Sequence, residues 1–243
     1  MSFARTAATA RRVLGQLRHD PRTLALLMVV PVVLMGLIAW IFAQRDFDQY
    51  GPPLLGIFPL LVMFLVTSVA TLRERTSGTL ERLLTMPLAK ADFIFGYAIA
   101  FGFLAIVQAV VVSGISFGLY GLQVQGHAVW VGIIAVVDAL LGTALGLFVS
   151  AFAATEFQAV QFMPAILIPQ LLLCGLLLPV DQLPTVLHWI SFAMPMRYAV
   201  DATMVVMTSP TVTSSYWVDL GIVAAFAVGF LALGAATLRR RTP

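Results

Sequence analysis

Asp138 is the one acidic residue near the middle of a long uncharged stretch in this 243-residue chain. A carboxylate in such a place costs about 2.5–3.5 kcal/mol on membrane-insertion scales, so it faces the interior of a helix bundle or a water-filled path. Two roles fit. It contacts a substrate cation or a proton, or it is a neutral or paired carboxyl that helps helices pack. No Lys or Arg lies in another apolar stretch to pair with it, and Gln108, Gln161 and Gln170 are the available hydrogen-bond partners. Asp138, Gln108 and Gln170 are therefore the candidate path residues. Other chemistry is poorly represented. His19, His127 and His188 are scattered without metal-ligand spacing, and Cys174 is the single cysteine. That excludes an intramolecular disulfide and a multi-cysteine metal site. No apolar stretch carries a paired His/Glu motif, and no G-x-x-x-x-G-K-[ST] phosphate loop is present. The chain is expected to have no catalytic residues, no metal and no cofactor of its own.

The elements that must position Asp138 follow from composition. Hydrophobic residues make up 60% of the chain and charged ones 10%, with a mean hydropathy of +0.99. A soluble domain carries about 25% charged residues, so this chain cannot cover a water-facing surface. A soluble enzyme and a nucleic-acid-binding domain are excluded. A membrane helix needs roughly 20 mostly apolar residues, and six stretches qualify: 23–43, 54–72, 93–117, 129–151, 162–178 and 218–238. They lack the alternation of barrel strands, and a spanning helix satisfies its own backbone. The expectation is an all-α membrane protein, 1–243 being a single domain of six transmembrane helices. The first run is too long for the apolar part of a cleaved signal peptide.

Basic residues set orientation. Twelve of the fourteen fall on one side of a six-span topology: five before the first span, four between spans two and three, and Arg239, Arg240 and Arg241. Only Arg45 and Arg197 fall on the other. Both termini are thus expected in the cytoplasm, in a multi-pass protein of the inner or plasma membrane. Topology accounts for the net charge of +3, and no nucleic-acid partner is needed.

Two cytoplasmic segments have structure of their own. In 1–20, Phe3, Ala7, Ala10, Leu14 and Leu17 recur at helical spacing with Arg5, Arg12 and His19 opposite. This reads as an amphipathic helix in the membrane interface, either an anchor or an element that passes movement to the spans. Asp20 can cap the next helix, with Pro21 in its first turn. In 73–92, Gly78 can start a short helix and Pro87 can end it, with Leu80, Leu83 and Leu84 on one face beside Glu81 and Arg82. Two turns are unstable alone in water. The segment must pack on the membrane, on the span ends, or in a partner's apolar groove.

On the other side, 179–217 is too polar and Pro-interrupted to span. It is expected to form an outer cap or re-entrant hairpin with two short apolar helices, and Arg197 and Asp201 at i, i+4 can pair within it. Gly142 with Gly146, and Gly114 with Gly118, form G-x-x-x-G pairs that let helices approach closely, within the subunit or between subunits.

These segments carry a resemblance. Arg73-Glu74, then Gly78-Thr79, Glu81, Leu83 and Pro87 resemble the cytoplasmic loop of ABC-2 type transporter permeases. A second match runs through Gly175-Leu176, Pro179, Leu183-Pro184, Pro195, Tyr198 and Asp201, although Met196-Arg197 departs from the Leu-Thr common in relatives. The resemblance covers nearly the whole chain and is closest to the drug-exporter branch. It implies half of an export path for a drug, lipid or other hydrophobic molecule, completed by a second copy or a related permease chain among membrane lipids. It implies a separate ATP-binding subunit that holds ATP and Mg. Gly78, Thr79, Leu80, Glu81, Arg82, Leu83, Leu84 and Pro87 would form the coupling helix docking on that subunit. Glu156, in the short loop 155–158, would be a second contact. Pro179, Pro184, Pro195 and Tyr198 would belong to an outer gate. The alternative from another class is a proton-coupled secondary transporter using Asp138, which predicts no ATPase partner.

Overall fold

The computed structural model describes residues 3–76 and 90–237. Those residues fold into nine α-helices and one short 3-10 turn. Helix α1 is Phe3–Arg18, α2 Pro21–Ile41, α3 Gln44–Thr76 and α4 Lys90–Gly118. Then come α5, Ala128–Val149, and α6, Glu156–Leu173. The 3-10 turn Val180–Gln182 precedes α7, Thr185–Ser191, α8, Pro195–Thr208, and α9, Ser214–Thr237. Six of these are long and apolar enough to cross a membrane: α2, α3, α4, α5, α6 and α9.

The centre of the bundle is α3 against α5, its most extensive helix pair. Glycine makes it so. A Cβ on Gly142 would collide with the backbone carbonyl of Leu60, and one on Gly146 would lie 2.6 Å from Phe64 O. The backbones therefore approach at van der Waals distance, as small-residue seams allow. Nothing lies within 4 Å of a Cβ built on Gly114 or Gly118. Of the two G-x-x-x-G pairs, one builds the interior and the other faces outward. Around this seam α9 packs on α5 and α8, while α2 packs on α3 and α4.

Two span boundaries differ from the hydropathy reading. α3 runs for 33 residues through Pro52, Pro53 and Pro59. At 1.5 Å per residue that is about 50 Å, well beyond a hydrocarbon core of about 30 Å. Membrane helices tolerate such prolines where neighbours cover the freed groups, and all three prolines are buried here. α6 starts and ends earlier than the apolar run 162–178. The Thr155 side chain caps it by accepting from Gln158 N at 3.2 Å. Past its end Gly175 adopts φ +91°, a left-handed turn that glycine makes without Cβ strain. Leu176, Leu177 and Leu178 are apolar but lie outside the helix.

α1 keeps most of its expected stripe inward, with Ala10 and Leu17 buried and Leu14 packed beside them, but Ala7 is exposed and Thr6, Thr9 and Val13 are buried as well. Gly96 in α4 gives Thr9 its room: a Cβ there would stand 2.6 Å from Thr9 Cβ. Thr9 returns its hydroxyl to Arg5 O at 3.0 Å, so a threonine can occupy the tight contact without an orphaned polar atom.

Candidate functional site

The end of α3 carries Arg73, Glu74 and Arg75 in succession. Successive helical residues point about 100° apart, and these three reach in three directions. The Arg73 guanidinium donates twice to the Glu156 carboxylate in the first turn of α6, at 2.8 and 2.9 Å. Glu74 accepts from Arg12 at 3.2 Å and from Gln16 at 3.1 Å, both on α1. Arg75 donates to the carbonyl of Ser150, at the C-cap of α5. Arg12 also donates to the Tyr97 hydroxyl of α4 at 3.0 Å. One helix end is thus tied to α1, α5 and α6 within a single turn. The segment that begins at 77 follows directly.

Asp20 closes the same end of the bundle. Its carboxylate caps α2, accepting from Thr23 N at 3.2 Å and from Thr23 Oγ1 at 2.6 Å. Those bonds hold the Asp20 pKa below the ordinary carboxylate value.

Of the coupling residues expected from sequence, Glu156 lies among the described residues, where it pairs with Arg73. Gly78, Thr79, Leu80, Glu81, Arg82, Leu83, Leu84 and Pro87 lie outside the described residues. Arg12, Gln16, Arg75, Tyr97 and Ser150 were not singled out by sequence. Their signal was present but unspecific: charges in the last turn of a span, and an arginine opposite the apolar stripe of α1.

The path residues separate. Asp138 is 1% exposed in α5, its Oδ1 has no hydrogen-bond partner, and a Cβ on Gly56 of α3 would lie 2.8 Å from its Oδ2. Gln108 donates elsewhere, to Leu27 O at 2.7 Å. Pro31 explains that bond. Lacking an N–H, it leaves the carbonyl four residues back without its helical donor, and Gln108 of α4 supplies one. Gln170 donates to Ile166 O of its own helix at 3.3 Å. Neither glutamine donates to Asp138 among the described residues.

At the far end, proline sets each start. Pro179 precedes the 3-10 turn, Pro184 precedes α7, and Pro195 is the first residue of α8, where its fixed φ suits a helix and its missing N–H costs nothing. Tyr198 donates to Phe192 O at 2.8 Å and closes the turn between α7 and α8. Arg197 pairs with Asp201 at 3.5 Å, donates to Ser191 Oγ at 2.6 Å, and lies over the Phe192 ring at 4.1 Å. Burial raises the Asp201 pKa, and Arg197 opposes that.

The described residues combine six candidate spans, an amphipathic first helix and this charged helix end. The ABC-2 type transporter family model matches residues 5–208, and the chain belongs to that family. It is 29% identical over 170 residues to the "Probable multidrug ABC transporter permease YbhR" of Escherichia coli K12, covering 68% of this chain and 45% of that protein. It is 23% identical over 196 residues to YbhS of the same organism, covering 78% and 51%. ABC transporter G family member 20 of Dictyostelium discoideum is 25% identical over 164 residues, covering 68% and 22%. The chain spans about half the length of the bacterial relatives it matches, and less of the amoebal one.

Proposed function

We propose that this chain is the permease subunit of an ATP-driven exporter of the inner or plasma membrane, with the Arg73 end of the bundle in the cytoplasm. Two copies, or this chain and a related one, enclose the path. A separate ATP-binding subunit carries ATP and Mg, and it engages residues 78–87. The cargo is a hydrophobic or drug-like molecule, the class suggested by the names of the bacterial relatives.

One observation carries this reading. The segment proposed to couple follows directly on the turn that holds α1, α5 and α6 together. A force applied there reaches those helices through these side-chain contacts and shifts the population of two arrangements of the bundle, provided that the ATPase contacts the two arrangements unequally.

The test is affinity purification of the tagged chain from its native membrane in mild detergent, with an assay for a co-purifying ATPase. The ATPase is expected with the normal chain and is lost with Glu81→Ala plus Leu83→Ala. Recovery of the ATPase at the same yield with the double variant removes the coupling role of the segment.

A second reading, proton-coupled transport through Asp138, is favoured by the orphaned carboxyl oxygen. It requires Asp138→Asn to abolish transport while Glu81→Ala leaves it intact. The permease reading requires the reverse order of sensitivity.

A further inference from the structure

Three arginines at the corner between α1 and α2 have no ion pair among the described residues. Arg11 and Arg18 are exposed on α1, and Arg22 is exposed in the first turn of α2. Arg12 and Arg73, by contrast, are each paired with a glutamate, so those pairs add no net charge. The carboxylate nearest in sequence to Arg18 and Arg22 is Asp20. It accepts from Thr23, and Arg73 also interacts with it electrostatically. One shared carboxylate against three unpaired arginines leaves the corner positive.

The helices set these charges beside apolar surface. Arg11 and Arg18 are seven apart, so they lie within about 20° of one another around α1 and about 10 Å apart along it. Ala10, Val13 and Leu17 face inward, with Leu14 at their edge. Long arginine stems can lie along such an edge while the guanidinium reaches the polar layer. On α2, Arg22, Val29, Val33 and Trp40 fall on one line, all exposed. That line is opposite the buried Leu27, Pro31 and Met35. From Arg22 to Val33 is about 16 Å, half of a hydrocarbon core of about 30 Å. Trp40 stands at the far end, where tryptophan marks a membrane interface. A cation at one end of an outward apolar line one leaflet long matches a phospholipid. The unpaired charge selects a head that is anionic overall, since a zwitterionic head brings its own cation to its phosphate.

We propose that an anionic phospholipid binds at this corner, its head on Arg18 and Arg22 with Arg11 beside it, and an acyl chain along Val29 and Val33. The site requires only that α2 spans the membrane. It rests on the export reading solely in placing that lipid in the cytoplasmic leaflet. α1 is then held from two sides, by Glu74 through Arg12 and Gln16, and by the lipid through Arg11 and Arg18.

Native mass spectrometry of the full chain in detergent micelles reads the site, with dioleoylphosphatidylglycerol and dioleoylphosphatidylcholine as the two probes. The glycerol lipid is expected to add saturably and at least tenfold more tightly than the choline lipid. Each arginine near a membrane surface contributes about fivefold to the attraction of anionic lipid. Arg18→Gln plus Arg22→Gln should therefore erase the preference, and Arg11→Gln alone should weaken it about fivefold. Glutamine is close to arginine in helix propensity, so the variants fold, and circular dichroism checks the helices. Arg45→Gln is the control: Arg45 is equally exposed, just past the other end of α2, with Asp46 and Asp48 close by in sequence. It should bind as the unaltered chain does. Inorganic phosphate at the lipid's concentration should not compete.

Equal binding of the two lipids, a preference that survives in the folded double variant, or an equal loss with Arg45→Gln each overturns the site. Displacement by inorganic phosphate overturns the lipid as its occupant. A preference for the anionic lipid in a chain with which no ATPase ever co-purifies upholds the site while the export reading fails. An ATPase that co-purifies with a chain showing no preference removes the site and leaves the permease reading standing.

Discussion

At membrane depth α3 meets α5 through glycine, and at its basic end it meets α1, α6 and the turn after α5 through charge. The first contact is dry and backbone to backbone, with Gly142 and Gly146 against Leu60 and Phe64. The second is made by long side chains, and the Arg73–Glu156 pair is more than half exposed on both sides, at 59% and 51%. A close-packed seam has one arrangement, because any shift brings atoms into overlap. An exposed ion pair exchanges with water at little cost. The difference separates a region built to stay fixed from one built to rearrange, and it puts the adjustable region beside segment 77–89.

The largest effect is expected from Gly142→Leu, which drives a side chain into the Leu60 carbonyl. Overpacking costs about 1–3 kcal/mol and more where backbone blocks relaxation. The expected result is loss of the monodisperse, folded chain on size exclusion in detergent. Gly114→Leu, at the same sequence motif, should change stability by no more than about 0.5 kcal/mol. Equal damage from the two variants would refute the account of the seam.

Next comes Glu74→Ala. It leaves Arg12 partly buried without its carboxylate and removes the acceptor of Gln16. Hydrogen bonds to charged groups contribute about 1.5–3 kcal/mol, so denaturation in micelles should show a loss of that order. Glu74→Gln keeps an acceptor and should lose less. If alanine and glutamine behave alike, the contact with α1 is not held by that carboxylate.

Asp138→Asn follows, with the opposite sign. The carboxyl is buried against Gly56, with no cation near and Oδ1 unpartnered among the described residues. A neutral amide of the same shape removes the cost of holding a charge there, so stability should be unchanged or rise by about 1 kcal/mol. A fall of the same size would mean that the carboxylate has a stabilising partner in the assembled protein.

The comparison also marks what could be read from residues alone. Six spans, the Asp20 cap on α2, the pair of short helices in 179–217 and the Arg197–Asp201 pair depend on neighbours within a few positions, and each was legible. The burial of Thr6 and Thr9 on α1 was not, because it depends on Gly96, a glycine some ninety positions away whose meaning appears only when two helices meet. The choice between the two G-x-x-x-G pairs was hidden for the same reason: identical spacing says nothing about what stands opposite. The ties of Arg73 and Glu74 join residues 83 and 62 positions apart, and no periodicity records such a pairing. The family motif pointed at 73–87 as a unit, yet the contacts found at its first residues run inward to the bundle.

The smallest stability effect belongs to the Arg73–Glu156 pair, and it is the most informative about mechanism. A double-mutant cycle of Arg73→Ala and Glu156→Ala should give a coupling of no more than about 1 kcal/mol, and that coupling should shrink as salt screens the charges. If this joint transmits movement from segment 77–89 to α6, either single variant should reduce ATP-dependent transport far more than it reduces stability. The charge-swapped pair Arg73→Glu with Glu156→Arg should restore part of the transport. Swapping tests the contact and not the residues, since it rebuilds one ion pair with the charges exchanged. Transport that tracks stability across the whole cycle would make the pair a fastening of the helix end and would move the burden of transmission to Glu74 and Arg75.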